Sequence, residues 1–268
     1  MLGTVQRAGE VLDLFSAQQP EWGATSVARE LQIAKSQAYE LLVSLCAIGL
    51  LRRTQSARYL LGWRTVTLGA AVIGSGDFTR EASRAMRELV LGLPEATAHL
   101  TVWDQGRVVC IGRRQGANAV GGHDAVFPLT GSWVPPHCTS VGKVLLAAQP
   151  PSELDRFLGE ARLERFTANT IVRPDRLRAE IEAVERQGFA IDLGELDVDT
   201  RCTAAPIYQR SGEVSAAMGL SVSSDHWSRR SHEYTRAVVT ATENITQLIR
   251  RRPRKSEAVI GGVAAGVV

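Results

Sequence analysis

The chain has 268 residues and a formal net charge of +3, long enough for about two domains and for a core that needs no covalent staples. No stretch approaches the ~20 apolar residues of a membrane span, and the opening Met-Leu-Gly-Thr-Val-Gln-Arg lacks the apolar segment of a secretory leader. Four cysteines with no Cys-x-x-Cys pair make no disulfide framework, so a reducing cytoplasm is the expected setting. The small net charge hides a basic run (Arg250, Arg251, Arg252, Arg254 and Lys255) that leaves −2 on the rest, so any nucleic-acid reading must rest on local pattern.

Val5, Ala8, Val11, Leu12 and Phe15 recur at helical spacing and predict an amphipathic first helix. After Pro20 and Gly23, Thr25 or Ser26 is placed to cap a second helix that buries Val27, Ala28 and Leu31. Ser36 is placed to cap a third, with Ala38, Leu41, Leu42 and Leu45 inside and Gly49 as its stop. Two short helices joined by a tight turn over Thr25–Leu45 have the geometry that sets a helix in the major groove of DNA. Leu50–Arg53 and Arg58–Gly62 then read as a β-hairpin with arginines at its tip, completing a winged helix-turn-helix.

Trp63 to Ile73 reads as a linker helix broken by Gly74-Ser75-Gly76, and Phe78 to Leu93 as another helix ended by Pro94. Ala98–Trp103 and Arg107–Gly112 about Asp104-Gln105-Gly106 give a strand–turn–strand signal. Helices are predicted over 141–148, 174–187 with Gly188 as stop, and 233–251. Strands are predicted over 189–191, 202–208 and 214–222. The fold class is therefore α+β: residues 1–62 a winged helix-turn-helix, 63–76 a linker helix, 77–252 an α/β domain, and 253–268 a tail with little to pack.

Burying Ala38, Leu41, Leu42 and Leu45 leaves Ser36, Gln37, Glu40, Val43 and Ser44 outward, with Tyr39 at the border. Gln37 can pair bidentately with adenine and Glu40 can accept from cytosine N4. Lys35, Ser36 and Ser26 sit at helix starts suited to phosphate, and Arg53 and Arg58 on the wing suit phosphate or a minor groove. Glu40 has a second reading, a salt bridge to Arg53 or Lys35. The bland reading of the whole domain is an ordinary three-helix core with a solvated face.

Three blocks resemble the IclR family of bacterial transcription regulators. They are Val5-Gln6-Arg7-Ala8 through Tyr59-Leu60-Leu61-Gly62; His137-Cys138-Thr139-Ser140-Val141-Gly142-Lys143-Val144-Leu145-Leu146-Ala147; and Gly188-Phe189-Ala190-Ile191-Asp192 through Arg201-Cys202-Thr203-Ala204-Ala205-Pro206-Ile207. The resemblance runs from about residue 4 to 251. It implies a GAF-like effector-binding domain after the DNA-binding one, homodimers that pair into tetramers on palindromic double-stranded DNA operators, and repression in preference to activation. By position it also implies an effector site using Ser140, Val141, Asp192, Cys202, Gly219 and Ser221, with Val134, Met218 and Leu220 as apolar wall. A carboxylate would rest on the backbone N–H groups of Ser140 and Val141, Ser221 would donate to it, and Gly219 would leave room. The effector expected is a small organic acid, with no cofactor, no metal and no membrane partner. Two positions depart from the family pattern: Glu40 stands where arginine is common, and Asp199 where glycine is usual three residues before the cysteine.

Bland readings exist for the site as well. Cys202 reads more readily as packed core, Asp192 equally as a turn cap, and Lys143 as cover on a helix surface. An enzyme reading would use His137, Cys138 or Ser140 as nucleophile and base, but no Gly-x-Ser-x-Gly elbow is present. A zinc-binding regulator would use His123, Asp124, His137 and Cys138, at a spacing that matches no finger pattern.

Overall fold

The structure, a computed structural model, describes residues 2–16, 18–75, 77–119 and 130–251. Two compact units divide at residues 76 and 77. The expected tail lies outside the described residues, as do His123 and Asp124.

In the first unit α1 (Gly3–Asp13), α2 (Ala24–Glu30) and α3 (Lys35–Ala47) enclose one core of Val11, Val27, Ala28, Ala38, Leu41, Leu42 and Leu45, with Leu51 and Tyr59 from the hairpin. Both turns around α3 close by the same device. Gln32, at φ 53°, ends α2, and Ile33 N–H reaches Ala28 O at 3.0 Å. Gly49, at φ 77°, ends α3, and Leu50 N–H reaches Leu45 O at 3.0 Å. These are paired left-handed caps that satisfy the last carbonyls of each helix. The expected side-chain caps at the starts are not made. Gly23 and Ala34 occupy the N-cap positions without a side-chain bond, so Thr25, Ser26 and Ser36 fall inside the first helical turn.

The hairpin is β1 (Leu51–Arg53) against β2 (Tyr59–Leu61). Trp22 adds a third edge. Its backbone exchanges two hydrogen bonds with Tyr59, at 3.0 and 2.8 Å, and its indole N–H donates to Leu14 O at 2.8 Å. Gly62 is required where the chain leaves β2: a Cβ there would stand 2.1 Å from Gly49 O. The linker helix α4 (Trp63–Ser75) runs through Gly74 rather than breaking there.

The second unit is a six-stranded antiparallel sheet in the order β5-β4-β3-β8-β7-β6. Its strands are β3 (Thr97–Asp104), β4 (Arg107–Gln115), β5 (Trp133–Val134), β6 (Ala190–Asp192), β7 (Thr200–Tyr208) and β8 (Val214–Ser223). Gln105 and Gly106, at φ 48° and 83°, give the β3–β4 hairpin the two positive-φ residues of a type I′ turn. One face packs on α5 (Asp77–Gly92) and α9 (Ser224–Arg251) through Met86, Leu89, Leu100, Met218, Leu220, Tyr234, Val238 and Ile245. The other packs on α6 (Ser140–Ala147) and α8 (Pro174–Gln187) through Val108, Ala217, Val141, Val144, Leu145 and Val184. Alternate residues of each strand therefore serve opposite helical layers. A further helix, α7 (Pro151–Glu160), joins α6 to α8 and contributes Leu158. The last helix starts at Ser224, nine residues before the predicted Glu233, and is two helices merged across a kink at Arg230 (φ −139°, ψ 24°).

Candidate functional site

On α3 the structure places Lys35, Ser36, Gln37, Glu40, Val43 and Ser44 on the solvent side, and Tyr39 is exposed rather than at a border. Ser26 is half-buried at the start of α2. The wing arginines are engaged locally. Arg53 lies 6.0 Å from the Tyr59 ring centroid, and Arg58 donates to Glu21 O at 2.8 Å and pairs with the Glu21 carboxylate at 3.3 Å. Neither takes Glu40, which forms no ion pair among the described residues, so the salt bridge considered from sequence is not the answer to its charge. Arg52, which the sequence reading did not single out, lies 5.7 Å from the Trp63 ring centroid.

The residues expected at an effector site are brought together through sheet register. Thr97 pairs with Ser221, Ser221 with Cys202, and Cys202 with Asp192, giving one row across four strands. The next row is His99, Gly219, Ala204 and Ala190. Directly opposed residues share a face, and here it is the face under α6. Ser140 and Val141 open that helix, whose cap is Thr139 accepting from Gly142 N–H at 3.2 Å.

Two expectations change, and one of the open alternatives is met. The space over Gly219 is taken: a Cβ there would meet Val141 Cγ1 at 2.8 Å, so the glycine admits the helix rather than leaving room for a ligand. Lys143 is buried instead of covering a surface, because α6 is enclosed between the sheet and α8. Its Nζ donates to Glu195 at 2.5 Å, Glu180 at 3.0 Å and Ile191 O at 3.1 Å. Asp192 Oδ1 accepts Glu195 N–H at 2.6 Å, which makes it a turn cap as well as a member of the row. The sequence reading missed His99, whose Nε2 lies 2.7 Å from Ser221 Oγ. A histidine in an otherwise apolar strand was the available signal.

The charge balance under α6 is uneven, since Lys143 faces more carboxylates than it can neutralise. Burial pushes Asp192 up to about 6, against hydrogen bonds from Glu195 and Gly194, and pushes Glu195 up to about 7, against the pull of Lys143. Burial works against the charged form of Lys143 too, but Glu195 and Glu180 more than offset it and hold its pKa above the ordinary value. Burial, with the Asp192 charge, raises the thiols of Cys138 and Cys202. Burial, reinforced by Arg113, brings His99 down to about 3, so its ring is neutral at pH 7.

Asp192 and Glu195 bind protons more tightly folded than unfolded. Their contribution to stability is full below the unfolded values of 3.8 and 4.5 and is lost as pH rises through about 6 and 7. His99 acts oppositely: its contribution is present above 6.5 and is lost as pH falls toward about 3. The two trends compete, so the check is a difference. The stability of wild type relative to Glu195→Gln, from urea unfolding, should be greater at about pH 5 than at about pH 8. An equal difference at both would remove Glu195 as a titrating group.

Of the residues considered for zinc or hydrolysis, His137 Nε2 lies 2.9 Å from Glu164 O, and Cys138 and Ser140 are buried. Among the described residues no group of three or more His, Cys, Asp or Glu is arranged to hold a metal ion, and no helix is long and apolar enough to cross a membrane.

The model of the bacterial transcriptional regulator IclR C-terminal domain matches residues 70–247, and that of the IclR helix-turn-helix domain matches residues 4–55. The HTH-type transcriptional regulator XynR of Escherichia coli (strain K12) is 30% identical over 222 residues, 82% of this chain and 86% of XynR. The HTH-type transcriptional regulator KdgR of Dickeya chrysanthemi is 29% identical over 248 residues, 92% of this chain and 77% of KdgR. A crystal structure of an IclR homolog from Microbacterium hydrocarbonoxydans, complexed with 4-hydroxybenzoate, shares the fold at TM-score 0.79 and 22% identity, over 92% of this chain and 99% of that one. A helix-turn-helix with an exposed second helix, followed by an α/β domain with a polar row under one helix, carries both family matches, and the chain belongs to the IclR family of bacterial transcriptional regulators.

Proposed function

We propose that this regulator is a cytoplasmic repressor whose hold on a double-stranded DNA operator is controlled by a small organic acid. Residues 1–62 read the operator, 63–76 connect, and 77–252 take the effector. The observation that carries the reading is the polar row Thr97–Ser221–Cys202–Asp192, set under the first turn of α6 in a chain that also presents an exposed reading helix. The row is a buried set of hydrogen-bonding groups, held in place by His99 on Ser221 Oγ at 2.7 Å and by Glu195 N–H on Asp192 Oδ1 at 2.6 Å, and an oxygen-rich ligand can share such groups without leaving its own polar atoms unpaired. The relative complexed with 4-hydroxybenzoate, a hydroxylated acid, supports the ligand class. Ser140 and Val141 supply N–H groups at the helix start, and Ser221, Cys202 and Asp192 line the floor. The protein acts as a homodimer or tetramer on a palindromic operator, and the effector favours one arrangement of subunits over another through its differential affinity for the two.

At the DNA, Gln37 and Glu40 read base edges, and Ser26, Lys35, Ser36, Tyr39, Arg53 and Arg58 hold the backbone. In a binding-site selection, Gln37→Ala should relax preference at one base position per half-site by ~1–3 kcal/mol, roughly 5- to 150-fold. It should leave the melting temperature alone, because Gln37 is exposed. An unchanged selection would end the assignment.

A further inference from the structure

The rows under α6 do not stop at β3. Gln115 continues the first opposite Thr97, and Arg113 continues the second opposite His99. Alternation confirms the side. Gly112, next along β4, points to the other layer, where a Cβ would stand 3.0 Å from Met86 Cε, so Arg113 shares the α6 face with His99 and Gly219. Its Nε is buried, and its charge is felt at His99, which it helps to keep neutral. Val141 fills the space over Gly219, so along the second row a ligand reaching toward Ser221 would approach from the β3 and β4 side. Two strand spacings, about 10 Å, separate β4 from β8. An arginine side chain and a carboxylate hydrogen-bonded to it are together long enough to span that gap to the Ser221 hydroxyl.

We propose that Arg113 is the anion-binding group of the effector pocket, holding the carboxylate of a small acid while Ser221, oriented by His99, bonds a second oxygen of the same molecule. The planar guanidinium fork matches a carboxylate bidentately, which a point charge cannot do. A neutral His99 holds Ser221 Oγ at 2.7 Å without competing for the anion. Asp192 stands three strands from His99 in the sheet order, so its charge is kept away from that carboxylate. The inference rests on the organic-acid reading above and adds the residue that selects the acid.

The test is calorimetric titration of the full chain with glycolate, pyruvate, lactate and 4-hydroxybenzoate, each against its primary amide, for wild type, Arg113→Gln and Arg113→Lys. Wild type should bind at least one acid and prefer it to its amide. Arg113→Gln should weaken that acid by roughly 10- to 100-fold, the size of a hydrogen bond to a charged group, and lose the acid-over-amide preference while keeping amide binding. Arg113→Lys should fall between, retaining charge without the fork; it also serves should the glutamine variant fail to fold. If Arg113→Gln retains the preference, or if Arg113→Lys does where the glutamine variant is unfolded, Arg113 is not the anchor and the acid effector survives. If wild type binds none of the four acids, the acid reading falls and this inference falls with it.

Discussion

Lys143→Met should destabilise the effector domain by ~3–5 kcal/mol, the cost of breaking a buried ion pair from one side. The side chain is 1% exposed and all three of its N–H donors are used, on Glu195, Glu180 and Ile191 O. Methionine fills a similar volume, so packing alone would cost little. What remains is a buried Glu195 without its cation, with Oε2 already lacking a hydrogen-bond partner among the described residues. Glu195 lies beside Asp192, whose Oδ1 its own amide engages. The double variant Lys143→Met, Glu195→Gln should recover part of the loss, since it removes the orphaned charge as well. Urea unfolding of the domain's transition measures both. A single-variant loss under about 1 kcal/mol would mean that water or a shifted loop replaces the ammonium, and that the network does not hold α6 in place.

Leu42→Ala should act on the other unit, costing ~2–5 kcal/mol. Leu42 is fully buried in a core of nine buried residues, and a unit of this size has only a modest reserve. The expected result is a substantial loss of folded helix-turn-helix at growth temperature and loss of operator binding with it. The contrast with Gln37→Ala is informative because the two residues lie five positions apart on the same helix. One change removes the platform and the other only a proposed base contact. Circular dichroism melts paired with operator titrations separate them. An alanine variant that binds as tightly as wild type with an unchanged melt would show that α3 is held by something other than this core.

Much of this was legible because it is local. The period of Ala38, Leu41, Leu42 and Leu45 gives α3 its inner face, and Gly49 and Gly188 mark helix ends where left-handed backbone is needed. Helix starts were less legible: Ser26 and Ser36 are good caps by type, yet the caps fall at Gly23 and Ala34, three and two residues sooner. The helix α7 carries a start signal in Pro151 followed by Glu153 but buries only Leu158 fully, too little for a visible period. The polar row under α6 could not be assembled from pattern alone. His99 and Ser221 are 122 residues apart and meet only through register, and nothing near Arg113 in sequence shows that it stands beside them. Lys143 misled for a related reason: its charge reads as solvent-facing until α8 is laid over α6.

The contacts of Trp22 with Tyr59 and Leu14, and the close approach of Gly62 to Gly49, have a bearing on how such a reader diversifies. They tie the hairpin, the segment before α2 and the end of α3 into one block with little internal play. A block of that kind cannot learn a new operator by bending. On the proposed reading of the operator it can only exchange the type on a fixed plate, at Gln37, Glu40, Val43 and Ser44, and a glutamate in that set is one such exchange.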